Sequence, residues 1–448
     1  MEVYKSSIQL SDHFTYRKLL RFTMPTVLMM LFASFYVIVD GLFVSNCIGK
    51  DAFAAVNLIW PFPMIIGALG YMFGSGGCAL VSKTLGVGDA KRARGLFSMF
   101  SLSALSYSIL FSAIGYFFID DVARFLGATE GQMLEDCITY GRFIMFSMTF
   151  FVLQTMFQPF MIAAERPAWG LAITFAAGLV NIIFDYVFIW LLNMKVAGAG
   201  LATLCSQMTG ALLPVAYFRL KKPSDLYFST PIFDLKAFKK ACTNGASEFI
   251  VNASVPIVNL LYVFALWRIG SVDGVGAYGV IMYVNVIFFS VYTGFSMGSA
   301  PVISYNYGAQ RMSEVQNVKR RVLRILLISA FIITLTAEIL APIVAWGFAS
   351  GDVKFREMIY EAFAFYALSF AIAPFNIYAS SFFTALNNGK VSAIISFSRI
   401  LLFQIGAISL LPLCFGIHGF WVALPVSELL CLVVTTYFYI TCKSKYNY

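Results

Sequence analysis

Long apolar stretches alternate with short polar ones along the whole chain. Runs such as 52–82, 95–119, 143–164, 196–218, 249–267, 274–310 and 362–389 contain no Asp, Glu, Lys or Arg. A run of about 18 or more such residues can cross the hydrocarbon core of a bilayer as a helix. A membrane β-strand would alternate apolar and polar residues over about 10 positions. These runs are apolar on every face, so the pattern predicts helices. Twelve are expected, over 18–45, 53–82, 95–119, 137–163, 168–193, 197–219, 240–267, 276–306, 321–348, 358–386, 392–413 and 418–441. The polar stretch 221–239, with two prolines, divides them into an N-terminal six-helix bundle (1–220) and a C-terminal one (240–448).

Composition agrees. The chain has 448 residues, 60% hydrophobic and only 12% charged, whereas soluble domains carry about 25% charged residues. A soluble enzyme, a disordered chain and a secreted disulfide scaffold are excluded. Eight cysteines without a CxxC pair, and two histidines, argue against a zinc site or a disulfide framework. The first apolar run is too long for a cleaved leader and is expected to stay as a helix. The net charge of +9 reflects an asymmetry of loops rather than nucleic-acid binding. With twelve crossings, 24 of the 31 Lys and Arg fall on the side of the termini and 7 on the other. The positive-inside rule then places both termini in the cytoplasm.

The halves repeat each other. A shift of 222 residues carries Asp51 onto Asp273, Ala55 onto Ala277, Gly76 onto Gly298, Ser82 onto Ser304 and Gly86 onto Gly308. Ser206-Gln207 falls on Ser427-Glu428 with a shift of 221. Six crossings per half return each half to the same side, so the repeat is parallel, with a pseudo-twofold axis along the membrane normal. Transporters built this way hold substrate between halves that rock against each other.

Five acids fall well inside the spans: Asp40, Asp185, Glu248, Glu338 and Glu428. A charge at the bilayer centre costs at least about 2.5–3.5 kcal/mol, so such residues face a cavity or a partner. Tyr36 and Asp40 are four apart on one face of the first helix, and Asn181 and Asp185 on one face of the fifth. Both helices run outward, and Thr203 lies near the outer start of the sixth, so these oxygens share a depth. Two carboxylates this close in a low dielectric could bind Na⁺ or share a proton. Pro25 removes a backbone hydrogen bond, so the first helix can bend there. The repeat does not copy the acids: Tyr262 stands opposite Asp40, and Gln404 and Ile408 fall near the counterparts of Asn181 and Asp185. Glu428 is expected to pair within its bundle with Arg399, and Glu338 to be hydrated near the outer end. Glu248, near the inner end of the seventh helix, reads as a gate or an interface anchor.

Candidate cavity residues follow from polarity. An amide in an apolar helix needs a partner, so Asn57, Gln158, Asn259, Asn285 and Asn376 are candidates for the cleft. Phe35, Tyr36, Tyr140, Phe157, Tyr283, Phe288, Phe289 and Tyr292 could line it and hold organic cations by cation–π contact. GSGG (74–77) and GSAP (298–301) lack the Lys-Ser/Thr ending of a phosphate loop and read as helix-packing sites.

Several stretches together resemble the multidrug and toxic compound extrusion (MATE) family: VDGLFVSNCIGKDAFAAVN (39–57), GSGGCALVSKTLGVGDAKRAR (74–94), GSAPVISYNYGAQR (298–311), NIIFDYVFIW (181–190) and GAGLATLCSQ (198–207). The resemblance spans about 15–440 and is closest to the bacterial branch with DinF- and MepA-like exporters. It implies an all-α integral membrane protein of two six-helix bundles with a V-shaped cleft, in the bacterial inner membrane, working as a monomer. It implies a secondary antiporter that expels small organic, often cationic and aromatic, compounds against Na⁺ or H⁺ entry, with no cofactor and no enzymatic activity. It places the cation site at Asp40, Asn181, Asp185 and Thr203, with Tyr36 beside it and Pro25 as the bend. Two other readings remain open. A lipid-linked precursor flippase of the same superfamily would want a cationic cleft, and a membrane-embedded transferase would want clustered Asp or His at the membrane surface.

Overall fold

The computed structural model describes residues 8–221, 225–269, 272–349, 351–446 and 448. Lys5 and Lys222, both counted on the termini side, lie outside the described residues, as do the start of the N-terminal bundle and residues 222–224 of the polar stretch. Among the described residues twelve helices are long and apolar enough to cross a membrane: span 1 Tyr16–Ile48, span 2 Pro61–Gly86, span 3 Ala90–Phe125, span 4 Gln132–Ala163, span 5 Pro167–Leu191, span 6 Lys195–Leu220, span 7 Leu235–Arg268, span 8 Asp273–Gly308, span 9 Met312–Phe348, span 10 Val353–Ala385, span 11 Gly389–Phe415 and span 12 Ile417–Thr441. Most overrun the charge-free cores because their ends carry charged turns in the interface. Span 9 starts nine residues before its expected position, on Met312.

The second helix departs most from expectation. Residues Lys50–Ile59 form a separate short helix, and Pro61 and Pro63 begin span 2 anew. Proline suits the first turn of a helix because its missing N–H would have no partner there. The described part of the polar stretch packs against the N-terminal bundle. Leu226 is buried, Ile232 N–H donates to Gly95 O (3.2 Å), and Phe228 stacks on Phe97 (5.0 Å). Its last residues are already helical, because Asp234 caps span 7 by accepting from the N–H groups of Lys236 and Ala237.

Two apolar cores form, and each reaches across the division: that of the C-terminal bundle takes in Leu19, Phe22 and Val27 of span 1, and that of the N-terminal bundle takes in Ala237 and Ala241 of span 7. Facing outward are large apolar side chains such as Phe117 (79% exposed) and Phe331 (70%), which suit lipid as solvent. The 222-residue repeat holds bond by bond at the helix ends. Glu165 and Asn387 both take left-handed φ (62° and 59°), and the Arg166 N–H to Met161 O bond is matched by Asn388 N–H to Phe383 O.

The pseudo-twofold axis passes where spans 2 and 8 cross. A Cβ on Gly86 would strike the Tyr305 carbonyl, and one on Gly308 would strike the Lys83 carbonyl, the same contact under the repeat. Gly76 lies against Gly245 of span 7, and its counterpart Gly298 lies against Thr23 of span 1. These bare-backbone approaches hold the two bundles together on the termini side. Farther out, the Ser34 and Ser290 hydroxyls bond across spans 1 and 8 (2.5 Å).

A strap, Ile8–Phe14, closes the same end. Leu10 and Phe14 are buried. Leu10 N–H donates to Glu165 Oε1 (2.8 Å) in the N-terminal bundle, while Asn306 and Arg311 donate to the carbonyls of Leu10 (3.0 Å) and Ser11 (2.9 Å) from the C-terminal one. Glu314 accepts from Phe14 N–H (2.9 Å) and pairs with His13 (2.7 Å).

Candidate cation site

The acids of the N-terminal bundle sit where two helices change geometry. Span 1 passes from α to a π turn at Val44–Ile48, shortly after Asp40. In span 5 Asp185 is the last α-helical residue, and a π turn over Tyr186–Leu191 follows at once. Such turns recur at functional sites. Spans 1 and 5 pack against each other, as do spans 5 and 6.

Asp185 and Asn181 are buried, and Asp40 and Thr203 are half-buried. The Asp40 carboxyl faces Asp185 and Asn181. Thr203 reaches the hydroxyl of Tyr140, which lies in the field of both carboxylates. Tyr36 lies close to Asp40 on the same helical face. Yet Asp40 Oδ1 and both Asp185 carboxylate oxygens are buried without a donor in hydrogen-bonding geometry. Among the described residues no Lys, Arg or His forms an ion pair with either acid. Buried carboxylates without donors or counter-ions are costly. The donor set is all oxygen, which fits a hard monovalent cation or a proton. No group of three or more His, Cys, Asp or Glu side chains placed to hold a metal ion occurs among the described residues.

The C-terminal bundle treats its acid differently. Glu428 is fully buried and ion-paired to Arg399 (2.7 Å). Asn376 donates to both its carboxylate (2.8 Å) and its carbonyl (2.9 Å), and Thr435 donates to Asn376 (2.8 Å). Arg399 lies in a π turn over Ser398–Gln404 and stands over the Phe289 ring (5.6 Å). Tyr262, at the repeat position of Asp40, donates to the Phe420 carbonyl (3.2 Å). Glu248 faces Arg399 without pairing to it and accepts weakly from Asn252 (3.5 Å). Tyr71 stands near both Glu248 and Tyr36, so polar groups link the two bundles.

The remaining expected cavity residues scatter. Gln158 lines a small cavity within the N-terminal bundle with Gln154, Phe157 and Thr174. Asn259 accepts from the Tyr278 hydroxyl (3.0 Å), and Asn376 is committed to Glu428. Asn57 is exposed on the short helix and donates to its own Phe53 carbonyl (2.8 Å). Tyr283 is 38% exposed, and Asn285 keeps a buried, partnerless carbonyl oxygen. Tyr140 was expected only as an aromatic wall and Tyr71 was not singled out. A tyrosine in an apolar helix gives no sign of where its hydroxyl points.

Two parallel six-helix repeats about a membrane-normal axis, with an acid pair buried in one of them, define a multi-pass membrane transporter rather than an enzyme. The MatE family matches residues 25–187 and 249–407, well over half of the chain, and the chain belongs to that family. It is similar to the multidrug export protein MepA of Staphylococcus haemolyticus (strain JCSC1435), with 23% identity over 71% of this chain and 70% of the relative. The MepA of Staphylococcus aureus (strain MSSA476) is 24% identical over 67% of each chain. Among solved structures, an outward-facing conformation of a multidrug resistance MATE family transporter superposes with a TM-score of 0.91, 20% identity and 99% of each chain covered. A MATE in the straight conformation superposes with a TM-score of 0.90, 19% identity and 99% coverage of each chain. These likenesses show the shared fold.

Proposed function

We propose that this chain is an antiporter that drives export of small organic, cationic and aromatic compounds by uptake of Na⁺ or H⁺ at Asp40 and Asp185. The observation that carries the reading is the buried carboxylate pair without counter-ions, beside Asn181, with Tyr140 in the field of both acids and Thr203 against its hydroxyl. Neutralising the pair removes repulsion between spans 1 and 5. The N-terminal cavity then contracts as span 1 bends at Pro25, and substrate is released outward. The ion gradient supplies about 2.3 kcal/mol per charge per 100 mV. The similarity to MepA supports a drug-like substrate class. The lysine and arginine asymmetry supports both termini in the cytoplasm, the similarity to MepA supports a bacterial inner membrane, and the protein acts as a monomer. A flippase of anionic lipid precursors is disfavoured, because Arg399 is neutralised by Glu428.

The test is efflux of organic cations from proteoliposomes under separately imposed Na⁺ and H⁺ gradients. Wild type is expected to respond to at least one gradient, and Asp40→Asn and Asp185→Asn each to lose at least tenfold of that gradient-driven rate. Normal transport by both variants under both gradients would falsify the site.

A further inference from the structure

Outside the transport path, the termini side of the C-terminal bundle holds a cavity of about 220 Å³ lined by Gln316, Lys319, Arg320, Lys443 and Tyr448. Three of its five walls are cationic. Among the described residues none of the three cations forms an ion pair, and Lys443 and Arg320 lie close enough to repel Lys319. The nearby acid in the sequence, Glu314, is already engaged by His13 and the Phe14 N–H. Lys319 is also held in place, its ammonium over the rings of Tyr448 (3.9 Å), Tyr439 (4.8 Å) and Phe382 (5.5 Å). The Tyr439 hydroxyl beside it is buried without a partner. An aromatic cage fixes one cation, two more converge on it, and among the described residues no Asp or Glu side chain pairs with any of the three.

We propose that this cavity binds a phosphate group, supplied by the headgroup of an anionic phospholipid. The chemistry is that of lysine and arginine meeting phosphate oxygens by charge-assisted hydrogen bonds. The place is right for a lipid: Lys319 and Arg320 lie in the first turns of span 9, and Lys443 follows the end of span 12. Basic pockets between spans on the cytoplasmic side are suited to anionic headgroups. Bound there, a lipid would tie the start of span 9 to the end of span 12. Such binding does not depend on what the protein transports.

The full-length protein in phosphatidylcholine nanodiscs, titrated with phosphatidylglycerol, tests it through the thermal midpoint. Wild type is expected to show a saturable rise in midpoint at low phosphatidylglycerol fraction. Lys319→Gln with Lys443→Gln should weaken the apparent affinity by about fivefold for each lysine removed, and Lys319→Arg should restore most of that lost at the first position. Lys91→Gln with Lys239→Gln removes the same charge elsewhere on that side and should leave the titration unchanged. An equal loss in that control pair, or a non-saturable rise in wild type, overturns the site. Inorganic phosphate titrated into pure phosphatidylcholine discs distinguishes the source: saturation by it as tight as by the lipid would overturn the lipid as ligand.

Discussion

Two buried acids in similar surroundings have opposite fates. Glu428 is fixed by an arginine, an asparagine and, through it, a threonine. Asp185 is equally buried but has an acid, not a base, for its neighbour. The difference predicts opposite signs for one kind of substitution. Glu428→Gln leaves Arg399 buried without its counter-charge, a loss of about 3–5 kcal/mol when a buried pair is broken. Glu428→Leu with Arg399→Met removes both charges and should recover most of it, since apolar replacement of a buried pair is often neutral. Asp185→Asn removes a partnerless charge and should leave the thermal midpoint at or above that of wild type, while transport fails. Midpoints measured in one detergent decide this. A fall with Asp185→Asn as large as with Glu428→Gln would show that Asp185 ties helices together and has no part in cation uptake.

Between elements, close approach of bare backbone does the joining. Without a hydrophobic driving force between helices in lipid, small residues that let backbones touch become the contact. Gly86 and Gly308 make the same contact twice, related by the repeat. Alanine at either forces spans 2 and 8 apart, and each should cost about 1–3 kcal/mol, the usual range for overpacking. The two costs should agree closely. Gly279→Ala, where a Cβ meets nothing within 4 Å, should be neutral or slightly stabilising. Thermal midpoints of the three variants check this, and unequal losses at 86 and 308 would show that the two contacts are not equivalent. The equivalence of the two glycines was legible beforehand, because Gly86 falls on Gly308 under the repeat, but their contact was not, because the repeat alone does not say which helices touch. The Asp40, Asn181 and Asp185 positions were legible, since an acid in an apolar helix has to face a cavity or a partner. The π turns were not legible, because nothing in apolar runs such as YVFIWL marks an extra residue per turn. The break before span 2 was in the letters, as Pro61 and Pro63, but a charge-free run masked it.

Across the whole molecule, the two bundles are joined on the termini side by a segment that hydropathy alone could not reveal. Leu10 and Phe14 are too few to make an apolar run, and their partners lie on both bundles. For the termini side to open, this strap has to leave Glu165 or the surface formed by Asn306, Arg311 and Glu314. Glu165 lies between spans 4 and 5, where burial pushes its carboxyl above the ordinary glutamate range. The Leu10 N–H and Arg166 act against that shift, and Asp12 and Asp225 add to it. An acid whose pKa is raised on folding is ionised first in the unfolded state. Its effect on stability is therefore nil below the ordinary glutamate pKa of about 4.3, turns unfavourable as pH rises through the raised value, and stays constant above it. Glu165→Gln keeps an oxygen to accept the Leu10 N–H but cannot ionise. Relative to this variant, wild type should lose thermal stability as pH rises from about 4 and then level off. Protection of the Leu10 amide hydrogen, taken relative to its base-catalysed intrinsic exchange rate, should fall over the same interval in wild type and not in the variant, because the docked strap is what buries the carboxyl. Parallel pH profiles for the two proteins, in both midpoint and exchange, would mean that Glu165 carries no pH dependence and that the strap is held by its C-terminal partners alone.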